Sequence, residues 1–129
     1  MSEPIRTPVG MMWLDDSGLL WHRLDHGVSV RVEHASGIRE AVEHVSKGAP
    51  VRAVVDISGV QFADRAARDA MASVLDDSNE VATAIIVDSS ISRAMGTLFL
   101  KLSRPKRPTR LFIGEREAAT WVAGVPIAA

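Results

Sequence analysis

Two apolar-rich segments, Val9 to Leu14 and Leu19 to Leu24, flank Asp15-Asp16-Ser17-Gly18. Those turn-forming side chains, and a glycine free to take positive φ, predict a β-hairpin. Val28 to Val32 alternates apolar residues with Ser29 and Arg31, which fits either a short third strand or the lead-in to a helix. From His34 to Lys47 the rhythm becomes helical: Ile38, Ala41, Val42 and Val45 share one face, Arg39, Glu40, Glu43 and His44 the other, and Gly48 ends the run.

Beyond Gly48, Ala53-Val54-Val55 is uninterrupted and β-branched, as expected for a strand covered on both faces. Asp64 is placed to cap a helix with Ala66, Ala67, Ala70, Met71, Val74 and Leu75 on its apolar face, ending at Asp76-Asp77-Ser78-Asn79. Ala82 to Val87 repeats the buried-strand pattern. Asp88-Ser89-Ser90 then caps a helix with Ile91, Met95, Leu98 and Leu102 on one side, and Pro105 stops it. Thr109 to Ile113 predicts the last strand, and Glu115 to Val122 the last helix, with Ala118, Trp121 and Val122 inward. The order β-β-(β)-α-β-α-β-α-β-α requires crossover connections, so the last three strands should be mutually parallel and the hairpin should add an antiparallel edge.

The chain has 129 residues, 47% of them apolar and 24% charged, which describes an ordinary globular domain and excludes a disordered tail. Residues 1–8 carry Glu3, Arg6 and two prolines, without the apolar stretch of a signal peptide, and are expected to form a flexible arm before a single domain at 9–129. No apolar run approaches the ~20 residues of a membrane-spanning helix. The absence of cysteine removes thiol nucleophiles, cysteine-bound metal and disulfides, and makes a reducing cytoplasm the expected compartment. A net charge of −1 favours neither nucleic acid nor an anionic membrane in bulk.

In open α/β sheets ligands gather beyond the carboxyl ends of parallel strands, where helix N-termini offer free N–H groups. Asp56 and Asp88 close the two buried strands there, beside Asp64, Arg65, Arg68, Ser89, Ser90 and Arg93. One reading is structural, with the aspartates capping helices and pairing with the arginines. The other is a binding rim, on which the arginines and serine hydroxyls would grip a carboxylate or phosphate. A divalent cation between Asp56 and Asp88 is disfavoured by the competing arginines. His22, His26, His34 and His44 fall in no metal-ligand spacing, and no nucleophile elbow or phosphate-binding glycine loop occurs, so neither cofactor nor metal is expected.

Six cations, Arg93, Lys101, Arg104, Lys106, Arg107 and Arg110, fall between residues 93 and 110 with no acid among them. They suit a helix C-terminus, an acidic protein partner or an anionic lipid headgroup; stacking aromatics for nucleic acid are missing. Met95 to Leu100 is apolar around most of its helix, and the Met11, Met12, Trp13 and Trp21 hairpin lies at an edge, so self-association as a homodimer is a further expectation.

The segment Val54-Val55-Asp56-Ile57-Ser58-Gly59-Val60-Gln61-Phe62-Ala63-Asp64 resembles the central signature of STAS domains, the SpoIIAA-like anti-sigma-factor antagonists. The resemblance spans roughly residues 50 to 115. It implies an α/β fold of SpoIIAA-like (βα) superhelix type, with a mixed sheet, an N-terminal antiparallel hairpin and helices packed on it. It also implies a phosphorylated serine or threonine directly after Asp64, where this chain has Arg65, followed by Ala66 and Ala67. An arginine accepts no phosphoryl group. What the resemblance implies without that switch is a non-catalytic binding or regulatory module for a protein or a small anionic or lipid ligand. The alternatives are a small enzyme with Asp56 or Asp88 as general base, and a partner switch whose phosphoacceptor has moved to Ser58, Ser89 or Ser90.

Overall fold

In the computed structural model, which describes residues 2–127, alternation of core and half-exposed side chains sets Gly10–Leu14 (β2) antiparallel to Leu20–Leu24 (β3), pairing Met12 with His22 and Trp13 with Trp21. The turn between them is held by Asp15, whose Oδ1 accepts from Ser17 N and Leu19 N and whose Oδ2 accepts from Trp21 Nε1. The expected loose arm at residues 1–8 is in part an edge strand. Ile5–Arg6 (β1) pairs with Met12 and Met11, Ser2 N donates to the Leu14 carbonyl, and Thr7 is buried. Pairing here closes most of the open edge of β2, while Pro4 and Pro8, which lack a donor, keep the strand to two residues.

Ser29–Val30 (β4) leads into a 3₁₀ turn at Val32–His34, so the segment is both a short strand and a helix approach. Its strand pairs parallel with Phe62–Ala63 (β6) in a separate two-stranded ribbon. Ala35–Ser46 (α1) buries Ile38, Ala41, Val42 and Val45, and ends where Lys47 and Gly48 take φ of 55° and 75°. Val51–Asp56 (β5), Arg65–Asp77 (α2), Glu80–Ile86 (β7), Ser90–Leu98 (α3), Thr109–Phe112 (β8) and Glu115–Ala123 (α4) follow.

The main sheet runs β1-β2-β3-β5-β7-β8, with β3, β5, β7 and β8 mutually parallel. Crossovers of one hand, each moving to the next strand along, keep their helices on one side of the sheet. Met12, Leu20 and Ala53 accordingly pack on α1, and Ile85, Val87 and Leu111 on α2 and the chain after α3. After the last strand α4 turns back across the opposite face, where Ala118 and Val122 meet Val54, Ala82, Ala84 and Ile86. Burying each such valine or isoleucine stabilises the fold by roughly 1.5–3 kcal/mol.

The apolar side expected on the third helix divides: Met95 packs against the core. Ile91, Leu98 and Leu102 lie outward, 48%, 38% and 57% exposed, and α3 is seated instead through Ser92, Gly96 and the following Phe99. A Cβ at Gly96 would come within 2.9 Å of Leu111 Cδ2 and 3.2 Å of Val87 Cγ1, so the helix backbone itself rests on the sheet. Ser92 is buried because its hydroxyl accepts from the backbone N–H groups of Asp88 and Ser89. From Phe99 to Ser103 the helix widens into one π turn, closed by Arg104 N donating to Phe99 O across 3.2 Å, so Leu102 lies beyond the 3.6-residue period that holds for Ile91 and Leu98.

Candidate functional site

Three surfaces have chemistry to offer: the expected rim, the interior between the sheet and α1, α2 and α3, and the outer side of α3. At the rim, Asp56 is largely shielded and its oxygens are engaged, Oδ1 accepting from Ser58 N at 2.9 Å and Oδ2 lying 3.5 Å from Arg23 Nε. Arg23 also reaches Glu115 at 2.6 Å and lies over the Trp13 ring, so it ties the hairpin to β5 and α4. Asp64 caps α2 by accepting from Ala67 N at 2.8 Å. Arg65 points to solvent with its side chain 80% exposed, and its ion pair is with Asp69 on the same helix. Asp88 and Ser90 are exposed, Ser89 caps α3 by accepting from Ser92 N at 3.0 Å, and Arg93 borders a shallow groove with Thr97 and Ile113. Among the described residues none of these eight is ion-paired with another of the eight. The partners that Asp56 finds, Arg23 and Ser58, come from the hairpin and its own turn rather than from the helix arginines.

Arg68 turns differently. Its Nη1 donates to the Ala63 carbonyl at 2.8 Å, while its Nε is buried with no hydrogen-bond partner. It lines a cavity of about 120 Å³ whose walls are mainly apolar, among them Val9, Ile38, Val55, Met71, Ile85 and Phe99. The other polar residues of that wall are His22, Glu80 and Thr83. His22 Nε2 is 2.9 Å from Thr7 Oγ1, and burial pushes the imidazole pKa down to about 4, so the ring is neutral at pH 7. Glu80 is buried at the start of β7, and loss of hydration pushes its carboxyl up to about 7 against the opposing pull of Ser78 and Arg107. Thr83 Oγ1, like Arg68 Nε, is buried without a partner.

Thr83 and Glu80 were not singled out in the sequence. A threonine in the middle of the apolar run Val81 to Val87, and an acid at its start, are the signals that point to them. Among the described residues no group of three or more His, Asp or Glu side chains could hold a metal ion, and no helix is long and apolar enough to cross a membrane.

In the α3 segment the exposed Ile91, Leu98 and Leu102 are accompanied by the exposed cations Arg93, Lys101, Arg104 and Lys106, whereas Arg110 lies over the Phe112 ring on the α4 side of the sheet. Arg107 is drawn out of that cluster, donating to the Asp76 carbonyl at 3.0 Å and to the Glu80 carbonyl. Phe62, 52% exposed, stands on β6, which lies against α3.

None of the curated proteins matches the chain. Among solved structures it is similar to an uncharacterized protein of the DUF3478 family with a SpoIIAA-like fold, from Shewanella loihica PV-4. The two share 14% identity and a TM-score of 0.60 over 95% of this chain and 98% of that one, a likeness that establishes the SpoIIAA-like fold. The STAS-type signature at residues 54–64 and the mixed sheet agree with it. Residues 12–125 match the family described as a domain of unknown function, DUF7793, and the chain is a member of that family.

Proposed function

We propose that the chain is a non-catalytic binding module that docks an acidic, apolar-faced protein partner on the outer side of α3. The observation that carries this reading is the outward stripe of Ile91, Leu98 and Leu102 on a helix whose buried side is made of Ser92, Gly96 and Phe99. Water contact by three large aliphatic side chains of one segment is unfavourable, and covering them would release roughly 25 cal/mol for each Å² removed from water. The charge around the stripe selects the partner. Arg93, Lys101, Arg104 and Lys106 are exposed in the same segment, which itself contains no acid, while Asp69 and Asp76 touch it from α2; the remaining excess of cations attracts an acidic surface and repels a basic one. Ser90 and Arg93, from the rim expected at the strand ends, form the near end of this surface.

The position after Asp64 supports a module without a phosphoswitch at that place, since Arg65 offers no hydroxyl. Asp56, with both oxygens engaged, is poorly set up as a general base.

The test places a photo-crosslinking amino acid at Leu102, and separately at Arg65, in the cell of origin. A covalent adduct at Leu102 with a different, acidic protein is expected. That partner, once purified, should bind the wild type in a salt-dependent way and bind Leu102→Glu at least about ten-fold more weakly. An adduct only with a second copy of this chain, only with lipid, or only at Arg65 would overturn the assignment.

A further inference from the structure

The two edges of the main sheet are finished differently. At one end β1 is two residues long between Pro4 and Pro8. At the other, β8 runs for four residues, with Pro108 before it and no proline inside. Successive backbone units of a strand point to opposite sides. Those of β8 that face β7 are fixed by two bonds, Thr83 N donating to Pro108 O at 2.9 Å and Val87 N to Phe112 O at 2.8 Å. The N–H and C=O groups of Thr109 and Leu111 therefore point away from the sheet, and among the described residues no strand lies beyond them. An open edge of this kind is a template for another strand.

Beside the edge lies a groove between α3 and β8. Val87, Thr97, Leu111 and Ile113 line it, Ile113 being 64% exposed, and Arg93 is the charged member of its wall. At about 260 Å³ it is smaller than the roughly 300–1,000 Å³ of a small-molecule pocket, which suits side chains entering from a strand laid alongside.

We propose that β8 is a docking edge on which an extended acidic segment of another protein pairs as a further strand, its apolar side chains set in the groove and its acidic ones beside Arg110. Charge decides the occupant. Arg104, Lys106 and Arg110 are exposed, and residues 104–114 contain no acid. The acids nearby are turned elsewhere or outnumbered: Glu115 is held by Arg23, Glu117 folds over Gly114, and Asp76 takes the Lys106 and Arg107 N–H groups, which leaves Asp88 beside Val87. A second copy of β8 would set like charges against each other across the new pair, whereas an acidic strand is drawn in. Alternation gives the incoming segment its pattern. Leu111 turns to the side of α2 and α3, and Arg110, over the Phe112 ring, to the side of α4, so apolar and acidic residues in turn match the two faces.

The experiment titrates two capped octapeptides, one alternating glutamate with valine and one lysine with valine, into the full ¹⁵N-labelled chain. Before peptide is added, the Thr109 and Leu111 amides should exchange with solvent much faster than those of Arg110 and Phe112. The acidic octapeptide should shift and protect the first pair saturably, at least about ten-fold more tightly than the basic one. Thr109→Pro removes an outward N–H without touching the bonds to β7 and should weaken the acidic octapeptide about ten-fold. Arg110→Glu keeps the edge intact and should weaken it about five-fold. No saturable shift at Thr109 and Leu111 up to tens of millimolar, equal affinity for the two octapeptides, or binding that Thr109→Pro leaves unchanged would overturn the proposal. So would shifts at those amides that follow protein concentration alone, the sign of a second copy. Shifts confined to Ile91, Leu98 and Leu102 would overturn it while leaving the partner surface on α3 standing.

Discussion

Replacing Glu80 by glutamine should abolish a pH effect that this buried carboxyl imposes on the fold. The side chain sits at the start of β7 with the residue only 3% exposed, and its hydrogen bond from Ser78 Oγ is long, at 3.4 Å. Arg107 donates to the Glu80 carbonyl rather than to the carboxylate. Burial therefore dominates and raises the carboxyl from 4.5 to about 7. Between those values the folded state keeps a proton that the unfolded chain has released, so stability is full below pH 4.5 and falls as pH rises through about 7. At 1.36 kcal/mol per pH unit the loss is about 3 kcal/mol. Glutamine keeps the shape and cannot ionise. Glu80→Gln should thus be more stable than the wild type by about 3 kcal/mol at pH 8.5 and about equal to it at pH 4.5. Urea unfolding followed by tryptophan fluorescence across this range measures the difference, in which contributions common to both proteins cancel. A difference independent of pH, or a variant less stable at pH 8.5, would refute the reasoning.

His22 gives the opposite slope. Its neutral ring resists protonation until about pH 4 in the folded state, while the unfolded histidine takes its proton near 6.5, so stability drops by about 3 kcal/mol as pH falls through that window. Ring-proton NMR should place the His22 midpoint near 4, and a midpoint near 6.5 would contradict its burial. Gly10→Ala should lose about 3 kcal/mol in denaturant unfolding, because the added Cβ would land on the Arg23 carbonyl oxygen and within 2.8 Å of the Leu24 Cα, both backbone atoms of the paired strand. A loss below about 0.5 kcal/mol would mean that β2 and β3 are not so closely opposed.

Periods of 2 and 3.6 residues made the hairpin, the three parallel strands and the four helices legible, since all of those elements except α3 bury one continuous apolar face or run. Pairings between distant short segments were not legible. Two residues at Ser29–Val30 carry too little pattern to choose Phe62–Ala63 over the main sheet, and Ile5–Arg6 is recruited by an open edge rather than by its own preference. The seating of α3 was misread because a reading by hydrophobicity assigns the largest side chains to the interior. There the contact is made by a glycine and a serine that let the backbone approach, with the π turn displacing the residues beyond. At the rim, the cap by Asp64 followed from sequence, whereas the Asp56–Arg23 pair joins residues 33 positions apart and had no local signal. The cavity depends on volumes left between three helices and a sheet, which no linear pattern encodes.

The seating of α3 is the claim on which the proposed contact surface stands, and the unfolding free energies of Leu102→Glu and Phe99→Ala test it side by side. With the stripe in solvent, Leu102→Glu should stay within about 1 kcal/mol of the wild type, while Phe99→Ala should lose about 3–5 kcal/mol from the core. A loss for Leu102→Glu as large as that for Phe99→Ala would show that the leucine is buried and that the outer face of α3 is not the surface described.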